Sequence, residues 1–351
     1  MKPAKKRRAT LRDVAKAAGV GTTTVSRVIN GGFRVAPEML TRIETVMKEL
    51  DYLPDQAARS LKLGNSRTCT IGLIVPSITD PFFAQLAAVA QSIARRNDYV
   101  LILLTSQDNP EQELEDLRIF HRHRVDGLLI VPPRTQSKAL ITDLLQLSVP
   151  AVAVDRPLSE PSFSSVLADN YDATARATKH LLDHGRKRIL CLGGDPDLYT
   201  MRERAKGYAD VMKAAGLQGT VEMNVYDYGS ADHAISTHMT KHGGANAILG
   251  LYNLATVEAY DVLQNRRISI PERVALVGFD DFTLASTLRP SVTVVQQSVE
   301  EMGRTATQLL FDQMNGANSA SRRIEIASTL VLRESCGCKS NERAPLKQTK
   351  V

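Results

Sequence analysis

Polar and charged side chains recur between residues 70 and 300 of this sequence, at points where short apolar stretches end. Carboxylates and arginines make directional, paired hydrogen bonds to vicinal hydroxyl groups. An aromatic side chain among them offers an apolar stacking face, so the set is typical of a site for a sugar, a sugar phosphate or a nucleoside. Each residue alone also fits a strand-end loop or a helix cap, and the inference depends on their recurrence. The candidates are Asp80, Phe82, Asp155, Asp169, Arg204, Asn253 and Asp280.

A second group of candidate residues lies near the N-terminus and could contact DNA. Threonine and serine hydroxyls bond to base edges or phosphates, and the planar fork of Arg27 matches O6 and N7 of guanine. The polar residues predicted to share one helical face are Thr22, Thr23, Ser26, Arg27 and Asn30. From periodicity alone, a solvated face on an ordinary three-helix bundle remains an alternative interpretation.

Three short helices are predicted to position this N-terminal group. The segment Thr10–Asp13 fits the capping pattern that begins a helix, and Gly19 ends that helix. A tight turn leads into a second helix that begins near Thr22, and a third helix begins at Pro37. The apolar face of the third helix is predicted to contain Leu40, Ile43, Met47 and Leu50. Two short helices joined by a tight turn predict a helix-turn-helix that enters the major groove of DNA.

The distribution of charge favours the DNA-binding interpretation. Residues 1–66 hold 13 Lys and Arg against 6 Asp and Glu, whereas the whole chain holds 44 against 38. The excess of positive charge therefore lies in the N-terminal segment, as expected of a surface that contacts phosphates. The run Lys5–Arg8 is either a mobile arm that contacts phosphates or a solubilising tail.

From residue 70 onward, short apolar stretches alternate with amphipathic helical stretches such as residues 82–96, 173–184, 202–215 and 300–314. This β–α alternation predicts parallel sheets covered by helices, with ligands bound at the carboxyl ends of the strands. The predicted strands are Ile71–Val75, Val100–Leu104, Leu128–Val131, Ala151–Val154, Val166–Ala168, Ile189–Leu192, Met223–Tyr226, Ala247–Leu251, Val274–Gly278 and Thr293–Val295.

Composition and motifs argue against several other classes of protein. The chain has no run of 18 apolar residues and no apolar segment after its basic N-terminus, so we expect neither a membrane span nor a secretory signal. Only Cys336 and Cys338 of the four cysteines are close together, and no second ligand pair accompanies them, so we expect no metal site. The common nucleotide-binding and hydrolase motifs are absent. We therefore expect a cytoplasmic protein with reduced thiols, no cofactor and no enzymatic activity.

The N-terminal segment resembles that of a known family. Residues 13–30, DVAKAAGVGTTTVSRVIN, and residues 48–62, KELDYLPDQAARSLK, are similar to the DNA-binding segment of the lactose- and purine-repressor family of bacterial transcription regulators. The resemblance implies that Thr22, Thr23 and Arg27 read operator bases and that residues 57–62 form a hinge helix. In the family, two hinge helices pair in the minor groove, where the leucine that matches Leu61 wedges into the central base step. The predicted DNA contacts are Thr10, Thr22, Thr23, Ser26, Arg27, Asn30, Ala58, Leu61 and Lys62.

The rest of the chain resembles the effector domain of the same family, which is similar to periplasmic sugar-binding proteins. The resemblance is most specific at residues 204–208 and 277–281. It implies an N-terminal all-α helix-turn-helix domain (1–54), a hinge helix and linker (55–67), and a two-lobed α/β periplasmic-binding-protein-like effector domain (68–338). Lobe 1 comprises about 68–168 and 297–327, and lobe 2 about 169–292 and 328–338. Gly21 and Asn253 depart from the family pattern, because they replace a serine and an acid.

These observations together predict a transcriptional repressor that binds a near-palindromic DNA operator as a homodimer, without membrane association. A carbohydrate effector in the cleft is expected to set its affinity for the operator. A purine- or nucleoside-responsive regulator, or one controlled by a protein co-regulator, is the alternative. The polar tail, residues 339–351, has no heptad pattern, so we do not expect a tetramerising coiled coil.

Overall fold

The structure is a computed structural model that describes residues 9–29, 35–52, 67–240, 244–316 and 320–338. It divides into two compact units, Met1–Cys69 and Thr70–Val351. The predicted hinge helix and the polar tail lie outside the described residues. So do four predicted DNA contacts, namely Asn30, Ala58, Leu61 and Lys62.

The described residues of the first unit form three helices, α1 (Leu11–Ala18), α2 (Thr22–Ile29) and α3 (Pro37–Glu49). The predicted capping box begins α1, because the Thr10 hydroxyl accepts from the Asp13 N–H and the Asp13 carboxylate accepts from the Thr10 N–H at 2.8 Å. Gly19 ends α1 with a φ of 66°, a left-handed conformation that glycine adopts without strain. The helix-turn-helix prediction is confirmed. The small core consists of Val14, Ala15, Ala18, Val25, Ile43 and Val46.

The predicted apolar face of α3 was partly wrong. Leu40 and Leu50 remain 39% and 36% exposed, and Val46, which was not predicted, is buried beside Ile43. The physical reason is length. The helices α1 and α2 have 8 residues each, about 12 Å, whereas α3 has 13 residues, about 20 Å, so the shorter helices cannot cover both ends of α3.

The second unit contains two six-stranded sheets. The first sheet has the order β11-β5-β4-β3-β1-β2 and all its strands are parallel. Its strands are β1 (Thr70–Val75), β2 (Val100–Thr105), β3 (Gly127–Ile130), β4 (Ala151–Val154), β5 (Ser164–Ala168) and β11 (Arg323–Ile326). Four helices belong to this lobe: α4 (Pro81–Arg96), α5 (Pro110–His123), α6 (Lys138–Gln146) and α11 (Val299–Met314).

The second sheet repeats this arrangement, with the order β12-β10-β9-β8-β6-β7 and only β12 antiparallel. Its strands are β6 (Ile189–Leu192), β7 (Thr220–Glu222), β8 (Ala247–Gly250), β9 (Ala275–Phe279), β10 (Thr293–Gln296) and β12 (Thr329–Val331). Its helices are α7 (Asn170–Asp183), α8 (Tyr199–Ala214), α9 (Tyr228–Thr240) and α10 (Asn253–Asn265).

The chain crosses between the two lobes three times: after β5, after β10 and between β11 and β12. The two-lobed α/β prediction is confirmed. In each sheet the first and third strands of the lobe are neighbours, so the loops that follow them diverge and leave a crevice at their carboxyl ends. This arrangement positions the candidate site. No helix of the described ranges is both long and apolar enough to cross a membrane.

One strand prediction is wrong, and two strands were not predicted. The predicted strand Met223–Tyr226 is wrong, because the strand is β7 at Thr220–Glu222 and Asn224 has a φ of 61°, which interrupts an extended backbone. Strands β11 and β12 were not predicted. Both are short and lie at sheet edges, where exposed faces accept polar residues and the apolar signal is weak.

A close approach of α8 to α7 depends on Gly207. A Cβ atom at this position would lie 2.3 Å from the Tyr171 carbonyl oxygen, which is backbone and cannot move independently. We expect Gly207→Ala to lower the free energy of unfolding by about 1–3 kcal/mol, or the melting temperature by roughly 5 °C. Gly229→Ala is the matched control, because the nearest atom to a Cβ there is a side-chain oxygen at 3.5 Å. Equal melting temperatures for the two variants would contradict the prediction.

Candidate functional site

Two carboxylates lie at equivalent positions in the two lobes. Asp155 follows the fourth strand of the first sheet and Asp280 follows the fourth strand of the second. Both have a left-handed backbone, with φ values of 67° and 68°. The Asp155 N–H donates to the Val166 carbonyl at 3.0 Å and the Asp280 N–H donates to the Val295 carbonyl at 2.8 Å, so each is held by the neighbouring strand. The repeated geometry presents one carboxylate from each lobe at the strand ends.

Arg204 on α8 is the cation at the centre of these carboxylates, and it is only 2% exposed. Its Nε donates to Asn170 Oδ1 and its Nη1 to the Leu251 carbonyl, both at 2.7 Å. Its guanidinium lies 3.6 Å from the centroid of the Phe279 ring, and its Nη1 is 3.7 Å from Asp280 Oδ2. A buried arginine with this many partners has a fixed orientation, which suits it to position a ligand.

Asp155 belongs to a second network of charged side chains, in lobe 1. Arg156 donates to the Asp108 carboxylate and to the Pro132 carbonyl, and its Nε lies 3.4 Å from Asp155 Oδ2. Burial raises the pKa of the Asp155 carboxyl to about 6, against the opposing effect of Arg156 and Arg204. Burial likewise raises the pKa of Asp280, while Arg204 and a hydrogen bond from Gln297 oppose it. Ligand hydroxyls could replace the water that these desolvated carboxylates lack.

Asp80 and Phe82 lie at the start of α4. The Asp80 carboxylate accepts from the Phe82 N–H at 2.9 Å and so caps the helix. Its negative charge also raises the pKa of Asp280, which places Asp80 within electrostatic reach of the cluster. Phe82 is 8% exposed and packs edge-on against Phe83 within the core of lobe 1. The structure therefore gives Phe82 a packing role, and its predicted contact with an effector stays a prediction.

Asp169 and Asn253 make local contacts. Asp169 accepts from the Ser328 N–H and from Arg176 Nη2, both at 2.8 Å, and so anchors the crossing between β11 and β12. Asn253 accepts from the Leu254 N–H at 2.7 Å in the first turn of α10. Of the predicted effector contacts, Arg204 and Asp280 therefore form a close pair at 3.7 Å, and the charges of Asp80 and Asp155 act on that pair. The effector roles of Asp169 and Asn253 stay predictions.

A cavity of about 460 Å³ lies between the lobes, and sequence reasoning did not identify its walls. Arg134 of lobe 1 donates to Asp195 of lobe 2 at 2.7 Å across it. Asp108 lines the cavity and also pairs with Arg156, so the cavity adjoins the charged cluster. The lining residues are Gln107, Asp108, Asn109, Pro110, Glu111, Arg134, Gly194, Asp195, Leu198, Met201, Tyr226 and Tyr252. Most of them lie in loops a few residues beyond strand ends, which is the signal that could have found them.

The N-terminal unit presents the predicted DNA-contacting face. Thr22, Thr23 and Arg27 are exposed on α2, whereas Ser26 beside them is half-buried. The buried side of this helix is held by Val25. Thr10 is exposed at the start of α1, although its hydroxyl and N–H are engaged with Asp13. An exposed arginine that shares a short second helix with exposed threonines has the chemistry needed to contact a major groove.

Comparison with known proteins shows which family has this architecture. Residues 10–55 match the family described as bacterial regulatory proteins, lacI family, and residues 68–334 match periplasmic binding proteins and sugar binding domain of LacI family. The ribose operon repressor of Haemophilus influenzae is 30% identical over 331 residues, which cover 93% of this chain and 98% of that protein. The transcriptional repressor PurR of Photobacterium profundum is 30% identical over 332 residues, with the same two coverages.

Solved structures agree with these sequence matches. A complex of the transcriptional regulator CelR with cellobiose superimposes with a TM-score of 0.69 at 30% identity, covering 93% of this chain and 100% of that one. The lac repressor dimer bound to operator has the same fold, with a TM-score of 0.85 at 22% identity over 94% of this chain and 99% of that one. The chain therefore belongs to the lacI family of bacterial regulatory proteins, the transcriptional regulators that join a helix-turn-helix unit to a sugar-binding type of α/β domain.

Proposed function

We propose that this protein is a homodimeric repressor of a near-palindromic operator whose affinity for DNA is set by a neutral sugar in the cleft. On this proposal the protein senses the sugar and does not chemically transform it. The helix-turn-helix supplies the contacts to bases through Thr22, Thr23 and Arg27. The dimer supplies two such units, because a two-fold symmetric reader matches a palindromic site.

The balance of charge around the cleft favours a neutral sugar over a sugar phosphate as the effector. The cavity of about 460 Å³ is large enough for a mono- or disaccharide. Carboxylates around it outnumber arginines by six to three, so a phosphate group would meet net repulsion, whereas neutral hydroxyls would find acceptors. These residues are Asp80, Asp108, Glu111, Asp155, Asp195 and Asp280, against Arg134, Arg156 and Arg204.

Relatives support a sugar but leave a second candidate. A relative is named for the ribose operon and one similar structure contains cellobiose. Another relative is PurR, and Tyr226 and Tyr252 line the cavity as aromatic side chains on which a nucleoside base could stack. The Tyr252 hydroxyl donates to the Val225 carbonyl, so its ring is already held in place. A purine- or nucleoside-responsive regulator is therefore the second candidate.

A change in lobe closure would carry the signal from the sugar to the DNA. The ion pair of Arg134 with Asp195 joins the lobes at the cavity, so a sugar that binds there competes with it or adds to it. Either effect changes the relative free energies of the open and closed lobes. Coupling between two such sites is typically worth about 1–3 kcal/mol. We infer that this change reaches the operator through the predicted hinge helix, which lies outside the described residues.

A thermal-shift screen tests the choice of effector. Neutral pentoses, hexoses and disaccharides are compared with sugar phosphates and purine nucleosides. We expect a neutral sugar to raise the melting temperature in a concentration-dependent way and to change operator affinity in a gel-shift titration. Stabilisation by nucleosides and not by sugars would contradict the proposed sugar effector and favour a purine- or nucleoside-responsive regulator. Stabilisation by a phosphate ester over its parent sugar would contradict the charge argument.

The proposed base contact of Arg27 has its own test. We expect Arg27→Ala to weaken binding to the operator by about 1–3 kcal/mol, because the bidentate contact to guanine would be lost. Binding to random DNA should weaken much less, since it depends on phosphate contacts. Arg12→Ala is a control, because Arg12 is an exposed arginine on the first helix of the unit. Equal losses for Arg27→Ala on operator and random DNA would show that Arg27 contacts only phosphates.

A further inference from the structure

Two cysteines and two histidines converge in lobe 2, on residues that do not line the cleft cavity. Cys338 Sγ lies 3.5 Å from His180 Nε2 and 3.5 Å from His184 Nε2. Cys336 Sγ lies 3.2 Å from Cys338 Sγ. Around a tetrahedral zinc ion, with Zn–S about 2.3 Å and Zn–N about 2.0 Å, neighbouring ligand atoms are about 3.3–3.8 Å apart. The two separations between sulfur and nitrogen match the edges of such a tetrahedron, whereas the two sulfur atoms lie closer together than its edge between sulfur atoms.

The two histidines are arranged as metal ligands are. They lie four residues apart at the end of α7, so their side chains share one face of the helix. His184 Nδ1 lies 2.9 Å from the His180 carbonyl oxygen, to which it can only donate. This bond leaves the Nε2 lone pair of His184 directed at the cysteines. A ring N–H that donates to a carbonyl while the other nitrogen binds the ion is the usual arrangement in metal sites.

The cysteines lie in a turn that the rest of lobe 2 holds in place. Ser335 accepts from the Thr293 N–H at 2.8 Å and donates to the Leu276 carbonyl at 2.5 Å, which anchors the turn beside the sheet. Gly337 has a φ of 92°, a conformation that only glycine adopts without strain. This geometry brings both sulfur atoms to the same side. The site is therefore largely preformed by contacts that do not involve the ligand atoms.

The environment of the sulfur atoms favours binding of an ion. Cys336 is fully buried and Cys338 is 6% exposed, whereas His184 is only half-buried and leaves a path for an ion to enter. Thiolate and imidazole ligands in a tetrahedron suit zinc, whereas magnesium and calcium require oxygen ligands.

We propose that His180, His184 and Cys338 form a zinc site that fastens the end of the effector domain to helix α7, with Cys336 beside them as the nearest side chain that can supply a fourth ligand. Because the ligands come from helix α7 and from the last turn of the domain, the ion links two distant segments, and we assign it a structural role. Sequence reasoning missed this site because it looked for a second ligand pair near the cysteines. That pair lies more than 150 residues earlier in the chain, and folding brings it to them.

Metal binding is tested on the full chain, reduced and stripped with a chelator. Zinc content is measured by mass spectrometry after dialysis, and cobalt(II) is titrated as a spectroscopic probe. We expect one zinc per chain, and with cobalt the thiolate charge-transfer and intense visible bands of a tetrahedral site. Cys338→Ser and His184→Gln should weaken zinc affinity by about 100-fold or more. Cys69→Ser and His123→Gln, which alter a cysteine and a histidine outside the cluster, should leave it unchanged.

Several outcomes would overturn the proposal. One is a folded, reduced wild-type chain that retains no zinc and shows no tetrahedral cobalt bands. Another is unchanged zinc affinity in both ligand variants, which would place the ion elsewhere. His184 is only half-buried and lies at the end of its helix, so His184→Gln is the deciding variant if Cys338→Ser fails to fold. Zinc should also raise the melting temperature of the wild type but not of His184→Gln. None of these measurements involves DNA or sugar, so their failure is separable from that of the proposed function.

Discussion

Glu113→Gln is expected to stabilise the effector domain strongly in alkaline solution and hardly at all in acid. Glu113 lies on α5, is fully buried, and neither of its carboxyl oxygens has a hydrogen-bond partner among the described residues. Burial, with the negative charges of Asp108 and Asp116, raises its pKa to about 8, against the opposing effect of Arg156. The native state therefore holds a neutral carboxylic acid at neutral pH.

The sign of the pH dependence follows from the two pKa values. Below the ordinary glutamate pKa of 4.5 this residue is protonated in both states and contributes nothing. Between 4.5 and about 8 only the unfolded state releases the proton, so the free energy of unfolding falls as pH rises. Above about 8 the native state also releases it, and the accumulated loss reaches its limit. Glutamine has no proton to release, so the variant should be more stable there by up to about 5 kcal/mol.

Denaturant unfolding across this pH range measures the effect. The difference between wild type and Glu113→Gln should be small near pH 4.5 and should grow up to about pH 8. Glu115→Gln on the same helix is the matched control, because Glu115 is exposed. Parallel curves for wild type and Glu113→Gln would show that Glu113 ionises normally in the native state.

Asp280→Asn is expected to abolish the response to the effector while leaving operator binding without effector intact. Its carboxylate lies 3.7 Å from Arg204 and accepts from Gln297, which follows the second crossing between the lobes. Asparagine tolerates the left-handed backbone at this position, so the change removes the charge with little strain. The effect of the sugar on operator affinity, expected to be about 5- to 150-fold, should fall to about 1.

The measurement is a gel-shift titration with and without the sugar that the thermal-shift screen identifies. Asp155→Asn should give the same loss, because Asp155 occupies the equivalent left-handed position in the other lobe. Asp261→Asn, a change of an exposed carboxylate on α10, is the control and should respond normally. A full effector response in Asp280→Asn would remove Asp280 from the proposed site.

Local patterns in the sequence predicted the helix-turn-helix and the alternation of strands and helices. The capping box at Thr10, the turn at Gly19 and the apolar stretches of most strands each involve only a few neighbouring residues, so they can be recognised without knowledge of the tertiary structure. The edge strands β11 and β12 escaped prediction, because an exposed strand carries little apolar signal. The apolar face of α3 was partly mispredicted, because the extent of its burial depends on the lengths of its neighbours.

Only part of the candidate site could be predicted from the position of residues at strand ends. Strand-end position predicted Asp155, Arg204 and Asp280 as neighbours, and their side chains do converge. The same criterion selected Asp169, whose carboxylate instead anchors a crossing between the lobes. It also missed Arg134 with its partner Asp195, because neither directly follows a strand. Position in a loop therefore identified the right edge of each sheet but not the direction of each side chain.

By itself, the sequence determined the alternation of strands and helices, the family and the location of the basic surface, because these depend on local periodicity, motif and composition. Only the tertiary structure decided which distant residues meet. Asp280 reaches Arg204 through the order of the strands in one sheet, and Arg134 reaches Asp195 through the closure of two lobes. The cysteines at the end of the domain reach the histidines of α7 in the same way. Such contacts follow from the packing of whole helices and strands. The free energy of that packing is distributed over many core residues, so the sequence around the contacting residues carries no pattern that predicts the contact.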